Sequence, residues 1–345
     1  MLVTLLVILL ASALEAKPQF PTVVLLETKP VQDILDVFVT GSFPTKSIDV
    51  KKSNPASPPK PLLIVSPITD GTYPVFMFLH GTCLENYFYS NLLPHIASHG
   101  FIVVAPQVYS CINWLIPKLP IRESKEIEFV AEVGNWLLSG LQSVLPEKVT
   151  WDQDKLALGG HNRGGNIAFA LALGYSKTPL EVKISALVGL DPVGRVSTDP
   201  KILTNVPHSF NLSIPVTVIG TGLGNESVCG VVGLACAPNY MNHVKFYNKC
   251  KAPASHFVTT DYGHMDMLDD NPTGILAIIA NSICKNSKDP RDQMRRTVGG
   301  LIVAFLKAYF QADSGDFMTI LNEPSVAPAK LDPVQFKEEQ NHAQV

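Results

Sequence analysis

The chain has 345 residues, 46% of them hydrophobic and only 17% charged, with a net charge of −3. So small a charged fraction points to a large buried core, and the length suits one large α/β domain. The 27 basic residues form no stripe, which excludes nucleic acid as a partner, and the 27 prolines and 23 glycines stand singly between apolar runs, which excludes a fibrous or low-complexity chain.

The first element is Leu2–Leu10, almost wholly apolar and followed by Ala11-Ser12-Ala13 and Ala16. A run this short that ends in small residues reads as a secretory signal peptide over residues 1–16 rather than a membrane span. No later stretch is long and apolar enough to cross a bilayer, so contact with a membrane is expected only at its surface. Two sequons, Asn211-Leu212-Ser213 and Asn225-Glu226-Ser227, agree with secretion and mark Asn211 and Asn225 as glycosylation sites. Six cysteines can pair in such a compartment, and the three between 229 and 250 suggest a local staple there. No Cys-x-x-Cys spacing suggests a metal site, and nothing calls for a cofactor.

Residues 17–60 read as irregular, with one amphipathic stretch near Val31–Val39. A rhythm of short apolar runs follows: Leu62–Ile68, Pro74–Leu79, Phe101–Ala105, Lys155–Leu158, Ile184–Leu190, Pro215–Gly220 and His256–Thr260. The first three are four to seven residues long, rich in Val, Ile and Phe and bounded by turn residues, as strands buried on both faces should be, and the later runs continue the alternation. Helical spacing appears between them at Tyr87–His99, Glu126–Leu145 and Asn166–Leu173, and again at Arg295–Phe310. Strand and helix in turn predict a mostly parallel sheet covered on both faces.

One strand–helix junction carries chemistry. Gly159-Gly160-His161-Asn162-Arg163-Gly164-Gly165 stands where an α/β-hydrolase has its nucleophile elbow, Gly-x-Ser-x-Gly. The turn is so sharp that the residues two before and two after the centre must be small. Gly160 and Gly164 meet that demand, and Asn162 tolerates positive φ better than most residues. An amide nitrogen, however, is no nucleophile at neutral pH. The base expected after the last strand is His264, in Tyr262-Gly263-His264. The acid should end an earlier strand, which points to Asp191, with Glu226 and Asp261 as alternatives. The loop after Pro74–Leu79 and the residue after the elbow supply the oxyanion donors in such a fold, here the backbone N–H groups of Thr82 and Arg163. The expected organisation is a leader over 1–16, one α/β-hydrolase domain over 17–330 and a polar tail over 331–345.

Several runs resemble plant chlorophyllases: Gly159-Gly160-His161-x-Arg163-Gly164-Gly165 with Ala168–Gly174, Ala97–Pro106, Gly189-Leu190-Asp191-Pro192-Val193, Phe210–Gly220 and Tyr262–Leu268. The resemblance spans roughly residues 20–330. It implies an α/β-hydrolase that cleaves the phytyl ester of chlorophyll to chlorophyllide and phytol, with acid and base on Asp191 and His264 and the family's nucleophilic Ser on Asn162. It also implies a chloroplast address, where the N-terminus implies the secretory route to the endoplasmic reticulum, vacuole or cell exterior.

Three functional readings follow. A carboxylesterase would require a hydroxyl at position 162. A pigment or lipid binder would keep the pocket without the chemistry. Deamidation of Asn162 would leave an Asp nucleophile, although the following Arg163 does not favour that reaction. The ligand, a flat macrocycle with a long isoprenoid tail, needs a broad apolar wall. That wall is expected from Val108–Leu119, with Trp114, Leu115 and Ile116, and from Leu223–Met241.

Overall fold

The computed structural model describes residues 34–52, 57–111, 121–194, 200–228, 235–270 and 282–338. The leader over 1–16 and the wall residues Trp114, Leu115 and Ile116 therefore lie outside the described residues, as does Cys229.

Among the described residues nine strands form one sheet: β1 (Thr45–Val50), β2 (Leu62–Pro67), β3 (Gly71–Leu79), β4 (Ile102–Pro106), β5 (Val149–His161), β6 (Ile184–Leu190), β7 (Val216–Thr221), β8 (Ala254–Thr259) and β9 (Leu331–Lys337). Their order is β1-β2-β4-β3-β5-β6-β7-β8-β9. From β4 to β8 all neighbours are parallel, while β1, β2 and β9 pair antiparallel at the two edges. This is the α/β-hydrolase architecture that the alternating pattern predicts.

The two faces of the sheet are buried separately because successive side chains of a strand point to opposite sides. Phe76 and Phe78 of β3 join Val103 and Ala105 of β4 on one face. There they pack beneath α1 (Leu92–Ala97) and α5 (Arg291–Phe310). Val75 and Met77 face the other way with Ile102, Val104 and Leu158, against α2 (Glu123–Gly140), α3 (Arg163–Ala172) and α4 (His243–Lys249). A last helix, α6 (Gly315–Asn322), sets Phe317 against Phe305 of α5, ring centroids 6.1 Å apart. Phe305 is fully buried, so Phe305→Ala is expected to cost about 3–5 kcal/mol, read as a lower midpoint in urea with an unchanged slope.

Several expected boundaries move. Residues 331–337, read as the start of a polar tail, form β9 and pair with β8 from Leu331 to Lys337. Its outer face is exposed and it carries Pro333, which an edge strand tolerates but which hides the strand in the sequence. The same weak patterning conceals β1, inside the stretch read as irregular. The helix expected over Tyr87–His99 is a 3₁₀ turn (Asn86–Tyr89) followed by the short α1. The local staple between 229 and 250 is replaced by longer links, Cys83–Cys111 and Cys236–Cys284, and Cys250 is buried without a disulfide. Asn211 and Asn225 are both exposed. Among the described residues, no helix is long and apolar enough to cross a membrane.

Candidate active site

The chain leaves β3 for β4 on one side, whereas β5 lies on the other side of β3. Ligands of open α/β sheets bind beyond the strand ends at such a switch point. Thr82 follows β3 and Asn162 follows β5, so the topology alone brings them together.

Asn162 links His161, the last residue of β5, to Arg163, the first of α3, with φ 55° and ψ −120°. That backbone is rare for a residue with a side chain and is held by its surroundings. Its N–H donates to Leu190 O (3.1 Å), and its carbonyl accepts from Val193 and Asn166 (both 3.2 Å). A Cβ at Gly160 would stand 2.6 Å from the Gly164 carbonyl carbon, and one at Gly164 only 2.4 Å from Leu79 O. Only glycine lets strand, turn and helix approach this closely.

The side chain of Asn162 is held at both ends. Oδ1 accepts from the Arg163 N–H (2.5 Å) and from the Thr82 hydroxyl (3.0 Å). Nδ2 bonds to His264 Nε2. The Arg163 N–H can only donate, so the oxygen must face it and the NH₂ must face the imidazole. His264 Nε2 is then the acceptor, and Nδ1–H donates to Asp191 Oδ2 at 2.6 Å. A neutral imidazole held this way can take a proton on Nε2. The donor on the Thr82 side is its hydroxyl, where the backbone N–H was expected.

Asp191 stands one residue beyond β6 and is completely buried. Burial opposes its ionisation, but His264, the bond to it, nearby His243 and the Thr221 hydroxyl outweigh this and hold the carboxyl at about 2. It therefore remains an anion beside His264. Glu226 and Asp261, the alternatives for the acid, are exposed.

Two supports were not legible in the sequence. His161 Nε2–H donates to His264 O (2.9 Å), so its Nδ1 accepts from the Tyr89 hydroxyl (2.8 Å), which in turn accepts from Gly81 N–H (3.1 Å). This relay ties the loop of Thr82 to the loop of His264. Burial and neighbouring His264 hold His161 neutral, well below its ordinary range. Arg163 is buried and turned away from the site, with Nε donating to Glu126 Oε2 at 2.6 Å and a further bond to Ile121 O. Its side chain thus fastens the first turn of α3 to α2, and only its amide faces Asn162.

Asn162 opens on a cavity of about 280 Å³ lined also by Thr82, Val193, Cys236, Tyr240 and Met241. The second predicted wall segment thus reaches the site through Cys236, Tyr240 and Met241, while of the first, Tyr109 lies against the Arg163 guanidinium. A larger hollow of about 730 Å³ near Phe43, Ser90 and Arg296 contains none of these groups. Its histidine, His95, is bonded to Val37 O. Among the described residues no cluster of three His, Cys, Asp or Glu could hold a metal ion.

A sequence model of the chlorophyllase family matches residues 33–338. "Chlorophyllase-1, chloroplastic" of Citrus unshiu is 48% identical over 310 residues, covering 88% of this chain and 89% of the relative. "Chlorophyllase type 0" of Chenopodium album is 47% identical over 90% of this chain and 89% of its own length. "Chlorophyllase-1" of Arabidopsis thaliana is 44% identical over 95% and 98%.

Proposed function

This chain belongs to the chlorophyllase family, and from that premise we propose that its site takes the phytyl ester of a chlorophyll and directs hydrolysis to chlorophyllide and phytol. The observation that carries the reading is convergence: His264, paired with Asp191, faces residue 162, and the Thr82 hydroxyl and Arg163 amide aim at one oxygen position beside it. In the proposed cycle the ester carbonyl oxygen takes the place that Asn162 Oδ1 now fills, so the amide must rotate away. The two donors then stabilise the charge that develops on that oxygen. His264 accepts the proton of the attacking group and returns it to the leaving alkoxide of phytol, while Asp191 holds the ring in the required tautomer. Asn162 cannot carry the acyl group, so the attacking group is water. Turnover is then expected on the order of 10⁶ below that of an elbow bearing a hydroxyl.

A second reading has its own support. Asn162 Oδ1 engages both donors, which favours a protein that holds the pigment with little or no turnover. Measuring pigment binding and chlorophyllide formation on the same preparation separates the two. Slow chlorophyllide formation that disappears in His264→Ala supports hydrolysis. Saturable binding without product supports the holding role, and absence of both overturns the assignment. In the Asn162→Ser background, Thr82→Val should lower kcat about 10²-fold with little change in KM, as expected for a donor used in the transition state. An equal rise in KM with kcat unchanged would make Thr82 a ground-state contact.

Two addresses have support: the apolar run Leu2–Leu10 favours the secretory route, and the Citrus unshiu relative is named chloroplastic. Fusing residues 1–33 to a fluorescent protein decides between them.

A further inference from the structure

The carboxamide of Asn162 lies in its own site as an acyl group would. Its carbonyl oxygen meets both donors, Arg163 N–H and Thr82 Oγ1–H, and its NH₂ group meets the imidazole that is paired with Asp191. A carbonyl polarised by two donors, with the nitrogen it would expel on a histidine, has the geometry of a substrate about to be cleaved. We propose that Asn162 is a self-processing site, at which the protein hydrolyses its own side-chain amide once, leaving an aspartate at position 162 and releasing ammonia. The proposal rests on the roles assigned above to His264, Thr82 and Arg163.

The step balances with water alone. Water enters from the cavity on which half-buried Asn162 opens. His264 Nε2 removes a proton from it as its oxygen bonds to Cγ, and the carbonyl electron pair moves onto Oδ1 between the two donors. His264 then returns that proton to Nδ2, the Cγ–Nδ2 bond breaks, and ammonia departs. The new carboxyl group gives up its proton to ammonia, so the products are a carboxylate and an ammonium ion. Nothing is oxidised or reduced.

The usual route of asparagine deamidation is closed here. It needs the next residue's backbone nitrogen to attack Cγ and form a cyclic imide. The Arg163 nitrogen begins α3 and its N–H is committed to Oδ1, so it serves as a hydrogen-bond donor to the amide oxygen rather than as a nucleophile toward Cγ. Arg163 is further fixed by Glu126. Direct hydrolysis gives aspartate only, whereas an imide opens to both aspartate and isoaspartate. The two routes therefore leave different products.

The test uses the purified full chain, without pigment, incubated in heavy-oxygen water. Peptide mapping then reads the amide-to-acid mass change, the oxygen label and any isoaspartate at position 162. Expected is one heavy oxygen in a plain aspartate, formed at least about 10²-fold faster than in the same chain unfolded in denaturant, the lower bound for positioned acid–base assistance. His264→Gln and, separately, Thr82→Val should bring the rate down toward that of the unfolded chain, provided each melts cooperatively. If His264→Gln does not fold, Thr82→Val decides. An unchanged mass, an isoaspartate mixture, or an equal rate in a folded variant overturns the proposal. No pigment is present, so failure of the chlorophyll reading and failure of this one are recorded by separate measurements.

Discussion

Asn162→Ser is expected to raise chlorophyll hydrolysis by at least about 10³-fold, a conservative part of the effect of removing a hydrolase nucleophile. A hydroxyl at this position has no oxygen reaching between Arg163 N–H and Thr82 Oγ1–H, so both donors become free for the ester carbonyl. Its proton faces His264 Nε2, which already accepts from residue 162, with Asp191 fixing the ring from behind. No other part needs to move. The elbow glycines, the Tyr89–His161 relay and the Arg163–Glu126 pair are all in place. Initial rates of chlorophyllide formation by both proteins at equal pigment concentration give the ratio. A folded Asn162→Ser protein with no gain would remove the hydrolytic assignment of this site.

The second large effect is on stability in mild acid. His80, His95 and His256 are all buried, and burial pushes each down to about 4. Each has found partners as a neutral ring: His80 between Gly81 O and Val108 N–H, His95 on Val37 O, His256 between His243 and Gln335. In the unfolded chain the same rings protonate near 6.5. Between about pH 6.5 and 4 the unfolded state therefore binds protons that the folded state refuses, and stability falls as pH falls. Each ring contributes about 1.4 kcal/mol per pH unit, so the three together approach 10 kcal/mol, comparable with the whole stability of a domain. Acid unfolding should thus be nearly complete well above the range in which Asp191, held at about 2, begins to protonate. Urea midpoints measured from pH 7 downward test this, and because His161 is also held neutral, His95→Gln should reduce the slope by about one quarter or less. A midpoint independent of pH over that range would mean that the rings can ionise in place.

The site was legible in part, and for a local reason. Asn162 betrays itself by the glycines at −2 and +2, and Asp191 and His264 by standing one residue or a few beyond a strand end. The fold makes the ends of its central strands the only place where such groups converge, so position along the chain stands in for position in space. His161 had no comparable signal. It is adjacent to Asn162, but its role depends on Tyr89, 72 residues away, and on a carbonyl 103 residues away. His80 likewise joins the loop after β3 to the segment leaving β4, through partners the sequence does not mark.

By itself the sequence determined the class of fold, the succession of buried strands and helices, and the glycine-lined turn at Asn162, and it pointed to the acid and base proposed for the site. All of these are written in short windows, because a strand buried on both faces must be apolar throughout and a tight turn must have its glycines. Only the tertiary structure decided that residues 331–337 complete the sheet, that Cys236 pairs with Cys284, and that the Thr82 hydroxyl rather than its amide meets residue 162. It also decided which way the Asn162 amide points. The first three share a reason: an exposed edge strand, a disulfide and the Thr82 side chain are each fixed by partners tens of residues away, and no local pattern of polarity records which partner that will be; the amide orientation follows from the backbone turn that aims the adjacent Arg163 N–H at Oδ1.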